Sequence, residues 1–564
     1  MKNPIINTQT QKFPSFGGVP RTGGVVLTLF LLLLSLSTFA QTTQLPPVYV
    51  SHRTIGGSLD EYASRIKHTA DGGFVILGTA DSFNGDIVGK HGNPAVENIT
   101  DVWLAKFDSV GTMQWNRCYG GGKSTEQGAD VVQTADGGYL ILGAVAGFDS
   151  TLVTYRGRQD AIFFKVSANG TLQWQKCYGG SQDDLLGTLT LLNDSTAIAV
   201  GAAASNNGDC VGVGLGNIQD SRNWFLKINT NNRNIIESKR IYDPRYNACI
   251  WSKIEKTPDN NFIIYSSNDF SFPSSGVSVH KISQNGQLIW SGGASTGAFG
   301  PRVIGYDLVM MSDGNFYVST YNELSSQNQF YTCSPLPGGM LYKFNGSTGT
   351  HLWYKCLGTL TIKGMDYNTK DSTIITVGVV PDALGSSILR AHISKLDLQG
   401  NPIWTSKFTC SSIMASVFNQ VLAKDDTYYA VGMVESGGSQ CGGYHPRIPP
   451  SNPPSSDIWL LKAKHPIQTS IDETKKDKTQ LQIQTLAEGV YKINLGNNSP
   501  PVEGQGWSLE GRGVLAILTD QLGRELKKID LEKGSNSFEI DLTDFQQGIY
   551  FLSISGYKTV KLVR

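Results

Sequence analysis

One run of residues recurs along the chain: an apolar strand, an Asp-Gly-Gly-like turn, a second apolar strand ending in Gly, a loop, then a Trp-Leu-x-Lys-like strand and a hairpin into Trp. The clearest copy reads Ala70-Asp71-Gly72-Gly73-Phe74-Val75-Ile76-Leu77-Gly78, then Asp101-Val102-Trp103-Leu104-Ala105-Lys106-Phe107-Asp108, then Gly111-Thr112-Met113-Gln114-Trp115. Its turn aspartates fall at Asp71, Asp136, Asp194, Asp259, Asp313, Asp371 and Asp425, 54 to 65 residues apart. The runs between them are short, rich in β-branched and aromatic residues and bounded by Gly, Asn and Asp, which argues strand over helix. A repeat of that period, with strand enough for one four-stranded sheet, is the mark of a propeller. The expected fold is therefore all-β, a seven-bladed β-propeller followed by a small C-terminal immunoglobulin-like β-sandwich.

Two copies depart from the pattern. Copy three carries Ile235-Ile236 where the fourth strand elsewhere holds Trp115, Trp174, Trp290, Trp353 or Trp404, so its outer strand is the least defined. Copy seven stops after Trp459-Leu460-Leu461-Lys462, with no fourth strand. The missing piece stands at the other end, where Pro47-Val48-Tyr49-Val50-Ser51-His52-Arg53-Thr54-Ile55-Gly56-Gly57 resembles Leu172-Gln173-Trp174-Gln175-Lys176-Cys177-Tyr178-Gly179-Gly180. That N-terminal strand is expected to complete the last blade and leave no open sheet edge.

Ahead of it, Lys2, Lys12 and Arg21 precede an apolar run from Val25 through Leu36 and then Thr38-Phe39-Ala40. A basic region, an apolar region and a small-x-small site read as a secretory signal peptide, residues 1–40. Its apolar core of about a dozen residues falls short of the roughly 20 that span a bilayer. Residue 41 is Gln41, not Cys, which argues against lipid attachment, and no transmembrane segment is expected in the mature protein. The propeller is expected over 41–466 and a polar linker over 467–485, with Asp472 to Lys478 at its centre. The C-terminal domain takes 486–564. Lys plus Arg and Asp plus Glu number 47 each, so no global field favours nucleic acid as a partner.

The tail carries Leu518-Thr519-Asp520-Gln521-Leu522-Gly523-Arg524-Glu525-Leu526, Asp541-Leu542, and Gln547-Gly548-Ile549-Tyr550-Phe551-Leu552-Ser553-Ile554, and it ends Lys558-Thr559-Val560-Lys561-Leu562-Val563-Arg564. It resembles the type A C-terminal sorting domain of the type IX (Por) secretion system of Bacteroidetes, without the Pro-Asn-Pro that usually opens such domains. The resemblance implies a secreted or cell-surface protein whose partner is the type IX translocon. It also implies a sorting signal that includes Gly523, Gly548, Tyr550, Lys558, Lys561 and Arg564. The repeats are similar to propeller repeats of exported proteins of those bacteria, a likeness that supplies architecture but no activity.

Because strands alternate in direction, the longest insertions gather on one face: Asp81 to Thr100, Ser205 to Arg222, Tyr321 to Gly339 and Glu435 to Ser456. Long loops on a rigid scaffold are where binding is normally placed. In Asp81-Ser82-Phe83-Asn84-Gly85-Asp86, the oxygens of Asp81, Asn84 and Asp86 would suit calcium, and Asn206-Asn207-Gly208-Asp209 echoes the loop. Neither loop has the spacing of a known calcium motif, and a turn-forming Asx cluster is the weightier reading. The eight cysteines permit disulfides in an exported chain. Cys333 with Cys356 or Cys410 with Cys441 would staple the loops, the alternative being buried free thiols.

Enzyme signatures fail on spacing. Gly120-Gly121-Gly122-Lys123-Ser124 lacks the first Gly of a phosphate loop, which would fall at Arg117, and no helix follows. The eight histidines form no HExxH or HxH pair. The expectation is a binding protein for an extracellular protein or glycan rather than an enzyme. Its rival is a polysaccharide hydrolase or lyase with carboxylates converging on the propeller channel.

Overall fold

The computed structural model describes residues 47–94, 99–149, 151–152, 154–214, 222–242, 250–267, 276–295, 303–322, 338–381, 389–408, 416–435 and 456–464, and in the tail 482–487, 490–494, 514–520, 524–531, 537–542, 544–545, 549–554 and 560–563. The expected signal peptide lies outside them.

Seven four-stranded antiparallel sheets follow one another along the chain. Their innermost strands are Glu61–His68, Thr125–Gln133, Asp184–Asn193, Ile250–Lys256, Val303–Met310, Thr361–Asn368 and Ser416–Lys424. Each touches the next, and the last touches the first, so the sheets are the blades of a closed seven-bladed propeller. The seventh blade is completed as expected: Val48–Ile55 pairs antiparallel with Ser456–Lys464, from Val48 opposite Lys464 to Ile55 opposite Ile458. Ile55 is fully buried and shares a cluster with Ile458 and Leu460.

The repeated residues have specific tasks. At the turn of blade 1, Asp71 accepts the Thr69 hydroxyl and the Gly73 N–H, while the buried Lys106 from the third strand reaches it at 2.8 Å. Blade 2 repeats the set with Thr134, Asp136, Gly138 and Lys165, the ion pair again at 2.8 Å. In blade 4 Lys281 is 2.7 Å from Asp259, and in blade 6 Lys395 meets Asp371. Lys106, then the Thr69 hydroxyl, pull the Asp71 carboxyl down to about 2. The Asp-Gly-Gly turn and the Trp-Leu-x-Lys strand are thus two halves of one ion pair, which buries the lysine without leaving its charge unmatched.

The fourth-strand tryptophans set the spacing between blades. A hairpin glycine of one blade lies on the aromatic ring of the blade before it: Gly170 on Trp115, Gly349 on Trp290 and Gly400 on Trp353. Gly170 has φ +81° and a Cβ there would stand 2.8 Å from the Trp115 ring, so turn and contact both demand glycine. Blade 3, which lacks the Trp, still forms its outer strand as Ile235–Arg240, and Gly286 of blade 4 rests on Phe225 instead.

Every innermost strand carries a bulge at the same place, as between Gly128 and Asp130, Leu186 and Thr188, or Gly305 and Asp307. A bulge re-aims the next side chain, and here that side chain sews blade to blade. Asp130 accepts the Leu189 N–H at 3.0 Å and the Thr188 hydroxyl at 2.9 Å. Thr188 in turn accepts the Ile254 N–H at 3.2 Å, and Asp307 accepts the Met365 N–H at 2.7 Å.

The tail forms two further antiparallel sheets, one of Gln482–Ala487, Val490–Asn494 and Ser537–Asp541, the other of Glu525–Leu531, Val514–Asp520, Ile549–Ile554 and Val560–Val563. Buried Ala516 and Leu518, and Tyr550 and Leu552, show the two-residue period of strands with one covered face.

A chain begun at Gly57 lacks the closing strand and uncovers Ile458 and Leu460. Loss of the buried Ile55 alone is worth about 2–5 kcal/mol, so guanidinium unfolding is expected to shift by at least about 3 kcal/mol; an unchanged midpoint would refute the closure.

Candidate functional site

The face that carries the long loops is held by one device used twice. In blade 1 the Glu61 carboxyl accepts the N–H groups of Gly57 and Ser82, each at 2.9 Å. Ser82 Oγ accepts the Leu59 N–H at 2.8 Å, Asn84 Oδ1 accepts the Ser58 N–H at 2.9 Å, and Asp86 pairs with Arg53 at 2.7 Å. In blade 3 Asp184 accepts the N–H groups of Gly180 (2.7 Å) and Ser205 (3.0 Å) and the Ser205 hydroxyl (2.6 Å). Asn207 there accepts the Ser181 N–H at 2.9 Å, and Asp209 pairs with Arg156 at 2.7 Å. The Ser-x-Asn-Gly-Asp loop is a clip on the Gly-Gly connector that enters the blade.

Two of the three candidate calcium ligands, Asn84 and Asp86, therefore have protein partners, and Asp81 donates its backbone N–H to Asp60 O at 3.1 Å. Among the described residues no three His, Cys, Asp or Glu side chains converge as a metal site. Sequence reasoning missed Glu61 and Asp184; the signal was their common offset, four residues after Gly57 and Gly180.

Behind these clips, buried acids face each other across three blade junctions. Glu61, Glu126 and Asp184 open the innermost strands of blades 1 to 3, and Asp457, Asp101 and Asp160 sit at or beside the start of the third strand of the preceding blade. Glycine passes between them: a Cβ at Gly56 would strike Asp457 and Glu61, and one at Gly120 would strike Glu126 and Asp101. Burial first, and the facing Asp457 after it, push Glu61 up to about 8. Burial and Asp101 push Glu126 to about 7, and burial and Asp184 push Asp160 to about 6. Asp101 and Asp160 also accept loop N–H groups, from His91 and Arg156, both at 2.8 Å, and so cap the turns before the third strands.

The channel holds a cavity of about 250 Å³ lined by Arg65, Lys67, Lys253, Glu255, Asp366 and Gln420 among others. Lys253 lies 2.9 Å from Asp307 and 3.4 Å from Glu255. Asp366 accepts the N–H groups of Tyr367 (2.9 Å) and Ala423 (2.7 Å), and burial pushes it up to about 6. Asp307 and Asp366 thereby join neighbouring blades, and Glu255 is held by Lys253 of its own strand.

Cys118, Cys177 and Cys210 are free and buried, and Cys356 is disulfide-bonded. Cys333, Cys410 and Cys441 lie outside the described residues. Of the sorting-signal residues, Tyr550 is buried in Ile549–Ile554 and Lys561 lies in Val560–Val563; Gly523, Gly548, Lys558 and Arg564 are outside the described residues.

Residues 513–564 match the family described as the secretion system C-terminal sorting domain. No curated protein matches the chain. Among solved structures it is similar to a puromycin hydrolase mutant complexed with PGG, at 10% identity and a TM-score of 0.41, over 78% of this chain and 61% of that one. The chain thus spans less than two thirds of that protein, and a likeness this distant carries no argument about activity. The sorting domain makes the chain a secreted or cell-surface protein that the type IX machinery recognises. No helix among the described residues is long and apolar enough to cross a membrane.

The acid pairs set a pH dependence. A carboxyl whose folded pKa is raised binds its proton more tightly in the fold, so its stabilisation is full below the ordinary value near 4.5 and is lost as pH rises to about 8. Thermal melts should fall across that window, Glu61 contributing up to about 5 kcal/mol. Glu61→Gln is expected to flatten the slope; an unaltered slope would assign it to other groups.

Proposed function

We propose that the chain is an exported propeller that binds an extracellular protein or glycan through its loop-bearing face. In this reading residues 1–40 are a signal peptide, 41–466 the propeller, 467–485 a linker and 486–564 the sorting domain, read by the type IX translocon. The observation that carries it is the rigid frame under that face, where clips and acid pairs fix the connectors of blades 1 to 3 and anchor the first residues of the insertions Asp81 to Thr100 and Ser205 to Arg222. A disulfide pairing Cys333 with Cys356, or Cys410 with Cys441, would staple those insertions. Hydrolysis at the channel has less support, since Asp307, Glu255 and Asp366 are bound to Lys253 or to backbone N–H groups.

Glycan arrays and pull-downs with the secreted protein should return a ligand whose binding is lost when Tyr321 to Gly339 is replaced by a short Gly-Ser linker; blank results in both assays would overturn the reading. Deleting residues from Gly548 onward should leave the protein inside the cell envelope, and unchanged export would remove the sorting role.

A further inference from the structure

On the rim, where the outer strands of blades 1 and 2 meet, a cleft of about 510 Å³ is lined by His91, Arg117, Tyr119, Thr151, Leu172 and Gln175 among others. His91 is built into it. Its Nδ1 lies 2.7 Å from Asp101, which also accepts the His91 N–H at 2.8 Å and is wholly buried with Lys90 at 3.4 Å. That contact orients the ring and leaves Nε2 unengaged among the described residues. Arg117 is exposed and has no carboxylate partner among the described residues.

The other polar groups of the cleft are already used as donors. The Thr151 hydroxyl donates to Asp149 at 2.7 Å, the Thr171 hydroxyl to Asn169 at 3.0 Å, and Gln175 Nε2 to the Thr151 carbonyl at 3.2 Å. The donors left over are the guanidinium and, with the ring protonated, the Nε2–H of the His91 imidazolium. A carboxylate or sulfate needs donors alone and matches the guanidinium fork, and the Gln175 Oε1 and the Thr151 and Thr171 hydroxyl oxygens can accept from the hydroxyls of an attached sugar ring. Leu172, 43% exposed, and the buried Tyr119 supply an apolar wall, and the volume suits a small ligand.

We propose that this cleft binds an acidic sugar or similar small organic acid, its carboxylate or sulfate held between His91 Nε2 and Arg117 and its carbon body set against Leu172. The cleft lies at the outer edge of the loop-bearing face, with His91 drawn from the Asp81 to Thr100 insertion, and its assignment does not depend on what the Tyr321 to Gly339 insertion binds. The charged groups facing His91 are Asp101 and Glu126, which favour its cation, and Lys90, which opposes it. Arg117 and Lys123 add positive charge nearby, and Asp149 is tied to the amides of Lys123 and Thr151 behind Gly122. The bond to Asp101 holds the imidazolium above its ordinary range, so the grip on an anion weakens as pH rises through that raised value.

Calorimetric titration of the secreted protein with glucuronate, glucose 6-sulfate, methyl glucoside and inorganic sulfate tests the assignment. Both sugar acids should bind, methyl glucoside should not, and inorganic sulfate should bind about tenfold more weakly for want of the apolar contact. His91→Gln and Arg117→Gln should each weaken glucuronate about tenfold or more, with Arg117→Lys between them and the native chain. Affinity should drop as pH rises above the ordinary imidazole value near 6.5, and His91→Gln should abolish that dependence. Equal binding of methyl glucoside, no binding of either acid, or indifference to both glutamine variants would overturn the site; inorganic sulfate binding as tightly as the sugar acids would overturn the part given to Leu172.

Discussion

Everything in the ring rests on one pairing between residues some four hundred positions apart. Val48–Ile55 supplies the outer strand of the blade that Ser416–Lys424 begins, and only then do the seven innermost strands form an unbroken circle. A propeller left open would expose both a strand edge and the flank of a blade to water, and each is a route to aggregation. The closing strand meets both needs with backbone hydrogen bonds along its length and one fully buried isoleucine.

Within the circle, two kinds of polar contact act at different depths. Near the axis, aspartates placed by the bulges reach backbone N–H groups of the next blade, and Lys253 bridges Asp307 and Glu255. Nearer the loop-bearing face, carboxyls oppose each other through glycine, and a shared proton is the cheapest way to keep two acids buried side by side. The first kind is permanent; the second answers to the pH of the surroundings. An exported protein meets such changes without a cell to buffer them.

The fold was legible because the repeat encodes contacts local to one blade or to its neighbour. The pairs Asp71 and Lys106, or Trp115 and Gly170, recur in several copies, each member at the same place in its turn, strand or hairpin although the loops between them differ in length. The clip loop was visible as well, but Asn84 and Asp86 offer the same oxygens to a cation as to an N–H and a guanidinium, so composition could not separate the two roles. The acid pairs were hidden for another reason. The third-strand member is an aspartate each time, Asp457, Asp101 or Asp160, but its partner is Glu61, Glu126 or Asp184 and comes from the next blade, so the aspartates alone did not disclose the pairs. The rim cleft draws His91 from an insertion and Arg117 from an otherwise ordinary outer strand, and neither belongs to the repeat.

The register of the closing strand also gives the ring a polarity. Val48 stands opposite Lys464, at the end of the strands that lies with the short Asp-Gly-Gly turns and away from the long loops. The chain therefore enters and leaves the ring at a single corner of the short-turn face. A protein held to a surface by a tether at either end would hang from that corner, with the loop-bearing face turned away from the point of attachment.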